Sequence, residues 1–289
     1  MSAMFFAGRA ARVMAASCIV LIPALPARAA DPPATSAVDA PAKPAEEPPK
    51  PPPSIRGDRR RTVRNYWNNL AYNFIGVATR GNHEPLLVTG ALTGVAFAWD
   101  DEGVKYFAQH PHPDFGKLGS KLGGTIAVAG LTIGGFSAAR FSSGDRFRAS
   151  TYDLSQAIIV NQVWTQGLKL AIRRERPDHS NRVSFPSGHA SNAFAAATVI
   201  ARHYPRLSVP TFGLASYIAV SRMAANKHHF SDIVAGAGFG YGVGRLVTRR
   251  NSRDPDAPKA PPEKPTTLWI APDSGPAGDG AGARIVFAF

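Results

Sequence analysis

Between Arg56 and Arg253, helix-length apolar stretches alternate with polar joins punctuated by glycine and proline. Few runs show the two-residue alternation of a strand, so the pattern predicts an all-α core. The helices fall at about 62–80, 85–99, 119–140, 152–172, 189–203, 207–221 and 232–248, a bundle of six to seven helices. Small residues recur four apart, at Gly130 and Gly134 and again at Gly236, Gly240 and Gly244. That spacing lets helix backbones approach closely, as in membrane bundles and in tightly packed soluble ones. No period of roughly 20–50 residues repeats, which excludes a solenoid.

The ends of the chain are of another kind. Arg9 and Arg12 precede a short apolar run from Val13 to Leu25, and Ala27-Arg28-Ala29 follows with small residues at the −3 and −1 positions. Residues 1–29 therefore read as a secretory signal peptide; about 13 apolar residues are too few for a comfortable membrane span, against about 20 needed. Cys18, the single cysteine, lies inside the apolar run rather than after it, which argues against a lipoprotein anchor. A lone cysteine excludes a disulfide scaffold and a zinc site built on CxxC pairs. Residues 30–55 follow as a linker with nine prolines between positions 31 and 53, a stiff polyproline-type tether. A second Pro-rich break covers 254–265, leaving 56–253 as the folded domain. Beyond the break, 266–289 reads as a C-terminal β-hairpin, with Thr266 to Ile270 and Arg284 to Phe289 as strands, too small to be stable alone.

Whether the bundle crosses a membrane is open at this level. Leu122 to Ala139 is 18 residues without a charge, at the edge of a spanning segment, but the 152–172 helix carries Asn161, Gln162, Gln166 and Lys169. The positive-inside rule places Arg146, Arg148, Arg202, Arg206, Arg249 and Arg250 in the cytoplasm. A cleaved signal places residue 31 outside. The two tests agree only if helix 62–80 also crosses, or if the bundle does not span. A membrane-embedded bundle and a soluble or peripheral periplasmic one both remain.

Charge raises a further question. With 33 Lys and Arg against 20 Asp and Glu the net charge is +13, and loss of Arg9, Arg12 and Arg28 with the signal leaves 30 − 20 = +10. Such a balance invites phosphate, on a nucleic acid or on a small substrate.

Three segments decide between these. Lys169 and Arg176 are seven residues apart, two helical turns, and are expected on one helix face that Pro177 terminates. Pro186-Ser187-Gly188-His189 opens an Ala-rich helix, where free N–H groups and the dipole favour an anion and Gly188 permits close backbone approach. Ser221-Arg222 is followed after five residues by His228 and after three more by Asp232, so the carboxylate can hold one imidazole nitrogen. Taken singly, each has a structural explanation: a solvated face, a helix cap, a structural ion pair. Together they place three cations, two histidines and an orienting acid at one end of the bundle.

These segments, Kx6RP, PSGH and SRx5Hx3D, match residue for residue the signatures of the type 2 phosphatidic acid phosphatase (PAP2) family, which shares its site with vanadium haloperoxidases. The chain resembles that family over about residues 85–248. The resemblance implies a PAP2-like helical bundle and a metal-independent hydrolase of phosphomonoesters or pyrophosphates, with no cofactor. It assigns Lys169, Arg176 and Arg222, with Ser187 and the Gly188 N–H, to the phosphoryl oxygens, where charge gathers in the transition state. His228 is implied as the nucleophile that forms a phosphohistidine, Asp232 as its orienting acid, and His189 as the group that protonates the leaving alkoxide and then activates water.

Neighbouring residues are weaker. His229 lacks the spacing to Arg222 that His228 has, Arg173 is expected in solvent, and His179 in an access loop. His83, His110 and His112 are scattered and suggest no metal cluster. Eight residues between Pro177 and Pro186 make a short join, similar to the lipid-phosphatase branch of the family. The expected partner is thus a lipid or small-molecule phosphate at a membrane, on the periplasmic side of a bacterial envelope, with no nucleic acid. The rivals are a soluble periplasmic acid phosphatase of broad specificity, a vanadate-dependent haloperoxidase, and a binding module without catalysis.

Overall fold

The computed structural model describes residues 61–79, 82–252, 267–274 and 281–288. The expected signal peptide (1–29) and both Pro-rich linkers (30–55 and 254–265) lie outside the described residues.

The core is helical: α1 (Tyr66–Gly76), α2 (His83–Ala96), α3 (Asp100–Gln109), α4 (Pro113–Leu122), α5 (Thr125–Arg140), α6 (Asp145–Ile172), α7 (Gly188–His203), α8 (Ser208–Ala224) and α9 (Phe230–Ser252). Each of the seven expected helices has a counterpart, and the boundaries differ where polar or glycine residues act. The expected 119–140 helix is broken at Gly123-Gly124, with Gly124 in an extended conformation (φ −66°, ψ 152°) before α5. No helix is expected over 100–118, yet α3 and most of α4 lie there. Asp100, Asp101 and Glu102 fill the first turn of α3, where acids suit the dipole, and Pro113 opens α4. Asp145 starts α6 seven residues before the expected position, with Gly144 as its cap, giving a 28-residue helix.

Helix α7 is the axis. Ser187 caps it, its side chain accepting from the Ala190 N–H, and the Ala-rich sequence presents a smooth surface to α6, α8 and α9. Glycine sets how close α9 comes: a β-carbon on Gly236 would lie 2.5 Å from the Ser187 carbonyl oxygen, and one on Gly240 would lie 2.0 Å from that of Ser191. Phe194, Phe212, Met223, Ile233 and Val234 fill the core on one side of this axis. Leu154, Val160, Val199, Val243 and Val247 fill it on the other.

A polar knot closes one pole. Asp153 of α6, fully buried, accepts from Arg61 Nε (2.9 Å), Arg61 Nη2 (3.0 Å), Asn251 Nδ2 (2.8 Å) and His203 Nε2 (2.8 Å). It ties the segment before α1 to the start of α6 and the ends of α7 and α9. The opposite ends of the same helices carry the site.

The surface around the bundle is apolar. Ile126, Leu131 and Ile133 of α5 are 90%, 67% and 67% exposed, and α1, α2 and α6 show similar faces through Trp67, Leu87 and Leu170. Among the described residues, one stretch, 113–140, is long and apolar enough to cross a membrane by length and composition, and little of it is buried.

Residues 253–289 form a unit of their own, in which β1 (Thr267–Ser274) pairs antiparallel with β2 (Ala281–Ala288), Thr267 opposite Ala288.

Candidate active site

Four helix ends converge at the pole away from Asp153. Lys169 sits in the last turn of α6, buried, and its Nζ donates to the carbonyl of Val183 at 2.6 Å and of Ser184 at 3.4 Å. The helix stops at Ile172, because Arg173 adopts a left-handed conformation (φ 52°, ψ 40°). Arg176 therefore does not share a helical face with Lys169, which corrects the expectation from their spacing. It reaches the site from the return loop instead: the Arg176 N–H donates to the Asn181 carbonyl (3.1 Å) and the Ser184 N–H to that of Arg174 (2.9 Å). This folded-back loop delivers the chain to the start of α7.

The α7 start is bound to α9 by its backbone, the Ser187 N–H donating to the main-chain oxygen of Asp232 at 2.9 Å. Gly188 lies against Lys169, whose Cε would be 3.8 Å from a β-carbon there. His189 faces α4 across the Ser120 main chain, and its Cδ2 is 3.1 Å from where a β-carbon on Gly123 would stand. Arg222, in the last turn of α8 and 7% exposed, bonds through Nη1 to Ser120 Oγ. A loop then leads to His228, 3% exposed, and to α9.

Asp232, in the first turn of α9 and fully buried, is held from several sides. Its Oδ1 accepts from Arg174 Nη1 (2.8 Å), and its Oδ2 from Ser184 Oγ (2.5 Å) and the His229 N–H (2.9 Å). His229 Nδ1 stands 3.3 Å from the same oxygen and His228 Nδ1 3.6 Å. Both histidines thus face one carboxylate oxygen, and the expected His228–Asp232 pair is an ion-pair distance rather than a closed hydrogen bond. His229, expected to be a bystander, is engaged. Behind Arg174, Asp100 accepts from Arg174 Nη2 (2.8 Å), the Ser231 N–H (2.7 Å) and Ser231 Oγ (2.6 Å). Asp178 and Lys227 pair across the two loops, joining the access loop to the segment before His228.

The charges act on one another. Lys169 is within electrostatic reach of Arg176 and Asp232, Arg222 of Arg176, and His189 of both Arg222 and His228. Burial pushes the His228 imidazole down to about 4; Lys169 and Arg222 act in the same direction, and Asp232 pulls back up. Near neutral pH His228 is therefore uncharged. Three buried N–H or ring nitrogens here have no hydrogen-bond partner among the described residues: Arg176 Nε, Arg222 Nε and His228 Nδ1. Buried donors are rarely left so, and an oxyanion is the group that would use the two guanidinium N–H groups. No group of three or more His, Cys, Asp or Glu side chains placed to hold a metal ion occurs among the described residues.

Every residue of the three sequence segments lies at this pole, and residues 151–255, which contain all of them, match the family model of the PAP2 superfamily. Over these residues the chain is similar to the PAP2 superfamily. It is 40% identical over 82 residues to a lipid A 1-phosphatase of Porphyromonas gingivalis, covering 27% of this chain and 18% of that one. It is 35% identical over 89 residues to a decaprenylphosphoryl-5-phosphoribose phosphatase of Mycobacterium tuberculosis, covering 28% and 49%. The crystal structure of the first transmembrane PAP2 type phosphatidylglycerolphosphate phosphatase, from Bacillus subtilis, aligns at 19% identity and a TM-score of 0.45 over 65% of this chain and 94% of that one. The matches span between 18% and 49% of the curated relatives' own lengths.

Proposed function

We propose that this protein is a PAP2-type phosphatase that hydrolyses a lipid phosphate at a membrane surface, through a phosphohistidine on His228 and without a metal ion. The observation that carries the reading is the set of buried, unpartnered nitrogens on Arg176, Arg222 and His228 beside the Lys169 cation. Three cations around one small volume repel one another, and a dianionic phosphoryl group relieves that repulsion. They supply the charge stabilisation that metal ions provide elsewhere.

In the reaction, Lys169, Arg176 and Arg222 hold the equatorial phosphoryl oxygens, with Ser187 and the Gly188 N–H adding hydrogen bonds. His228 Nδ1 faces Asp232, so Nε2 attacks phosphorus. Burial, with Arg222 beside it, pushes the His189 imidazole down to about 4; a bound phosphoryl dianion favours the imidazolium, formed by taking up a proton from solvent. The N–P bond forms as the ester P–O bond breaks, and this imidazolium gives its proton to the leaving alkoxide. His189 then takes a proton from water, which attacks phosphorus, and the N–P bond breaks to release phosphate.

The substrate class follows from the surroundings. The relatives named above act, by their names, on lipid A and on decaprenylphosphoryl-5-phosphoribose, and the bundle here exposes apolar side chains on α1, α2, α5 and α6. Exposed apolar surface on this scale marks a membrane interface. Arg146, Arg148, Arg202, Arg206, Arg249 and Arg250 sit at the helix ends opposite the site, so the positive-inside rule turns the site toward the periplasmic face.

The test is phosphate release in detergent micelles from a long-chain lipid phosphate and from a soluble aryl phosphate, with a chelator present. The lipid is expected to be preferred by at least about tenfold in kcat/KM, one decade being about 1.4 kcal/mol of extra transition-state binding, and the chelator to have no effect. Preference for the aryl phosphate favours a soluble acid-phosphatase role instead.

A further inference from the structure

We propose that Arg174, backed by Asp100, is a positioning residue of the site: it takes Oδ1 of Asp232 and leaves Oδ2 to face the two histidines. The inference rests on the phosphatase reading and adds residues that the three signatures do not contain; Arg174 occupies one of the unspecified positions of Kx6RP.

The geometry is that of an ion chain. Asp100 and Asp232 are 4% and 0% exposed, and the guanidinium of Arg174 lies between them, Nη2 to Asp100 at 2.8 Å and Nη1 to Asp232 at 2.8 Å. Ser231 closes the figure. Its hydroxyl accepts from Arg174 Nη1 at 2.6 Å and donates to Asp100, and its N–H donates to the other oxygen of Asp100. The guanidinium also stacks on Phe97, 4.7 Å from the ring centroid. Arg174 therefore cannot rotate without breaking bonds to α3 and α9 at once. A carboxylate with one oxygen fixed in this way keeps its second oxygen at one place, against His228 and His229.

A planar fork is needed for this, since one nitrogen must reach each carboxylate. It also explains why α6 ends at Ile172. The left-handed turn at Arg173 aims Arg174 inward, whereas a helix continued to Pro177 would carry it around the bundle. Asp100 is placed by the acidic first turn of α3, an element that otherwise has no part in the site.

The charges make the proposal separable from plain structural support. His228 is faced by Lys169 of α6, His189 of α7, Arg222 of α8 and Asp232 of α9, with Lys227 and His229 adjoining it in sequence. Against that background, Arg174 weakens the pull of Asp232 on the imidazole proton, and Asp100 weakens Arg174. Removing the Arg174 cation favours protonated His228. Removing the Asp100 charge disfavours it.

The experiment measures kcat, KM and the pH dependence of kcat/KM on a long-chain lipid phosphate in micelles, for the full chain and for Arg174→Ala, Arg174→Lys and Asp100→Asn. His228→Ala is the control. Arg174→Ala is expected to lower kcat about tenfold to a hundredfold with KM changed less than about threefold, the range seen when an orienting group is lost. Its acidic limb moves to higher pH, and that of Asp100→Asn moves to lower pH, each by about half a unit. Arg174→Lys recovers charge but not the fork, so it restores the limb more than it restores kcat. If Arg174→Ala fails to fold, the order of the limbs decides, that of Arg174→Lys lying at or above the wild-type one and that of Asp100→Asn below it. Limbs that move the same way in both variants, or kcat within twofold of wild type in Arg174→Ala, overturn the proposal. An inactive wild type, or an active His228→Ala, overturns the phosphatase reading instead.

Discussion

Asp153 and Asp232 are two fully buried carboxylates, near opposite ends of one helical bundle, each bonded to an arginine and each close to a histidine. At Asp153 the bonds close: Nε and Nη2 of Arg61, Asn251, and His203 at 2.8 Å. At Asp232 the carboxylate is equally satisfied, but the groups around it are not. His228 stops at 3.6 Å, and the Nε–H groups of Arg176 and Arg222 have no partner among the described residues. Around Asp153 the charged side chains are paired with one another. The Asp232 pole has its negative charge fixed and its positive charge available, which is the arrangement expected where an anionic substrate completes the bonding.

That difference can be broken from either side. Arg222→Ala should reduce kcat/KM by about a hundredfold to a thousandfold, as loss of one transition-state donor does, while the thermal midpoint stays the same or rises, because a buried cation with an unpaired N–H is removed. Asp153→Ala should behave in the reverse manner. It removes the buried carboxylate that Arg61 and His203 bond and should cost about 3–5 kcal/mol of stability, with activity per folded molecule within about twofold of wild type. Chemical denaturation and steady-state kinetics on the same preparations check both. Loss of stability in Arg222→Ala, or loss of turnover in folded Asp153→Ala, would erase the distinction between the poles.

A smaller effect concerns pH. His228 is held down to about 4, chiefly by burial, so it stays neutral and nucleophilic until the pH falls through about 4. The acidic limb of kcat/KM, after allowance for the substrate's own ionisation near about pH 6, should lie near that value. A limb at about 6.5, where an unperturbed histidine titrates, would mean that His228 is solvated in the working enzyme.

Much of this was legible in the sequence. The helical core followed from apolar stretches of helix length, and all eight residues singled out in the three segments lie at one pole, because short motifs with fixed spacing carry their own local geometry. Two things were not legible. The spacing of Lys169 and Arg176 suggested a shared helix face, and the left-handed turn at Arg173 removes it; that turn is dictated by what Arg174 must reach, not by local preference. Asp100 and Ser120 were invisible because their partners lie 74 and 102 residues away, and short motifs carry no such long-range contact. His229 was discounted because it lacks the motif spacing, although its main-chain N–H needs only to be three residues before Asp232 to bond its carboxylate, as an N-terminal helix residue does.

The central claim is that His228 takes the phosphoryl group. The direct measurement is rapid acid-free quenching of the enzyme with lipid phosphate labelled in its phosphoryl group, followed by alkaline denaturation, which preserves phosphohistidine. The wild type should carry label on the peptide containing His228, lost on mild acid treatment, and His228→Ala should carry none and turn over at least about a thousandfold more slowly. Label that survives in His228→Ala, or turnover that persists there, would contradict the account.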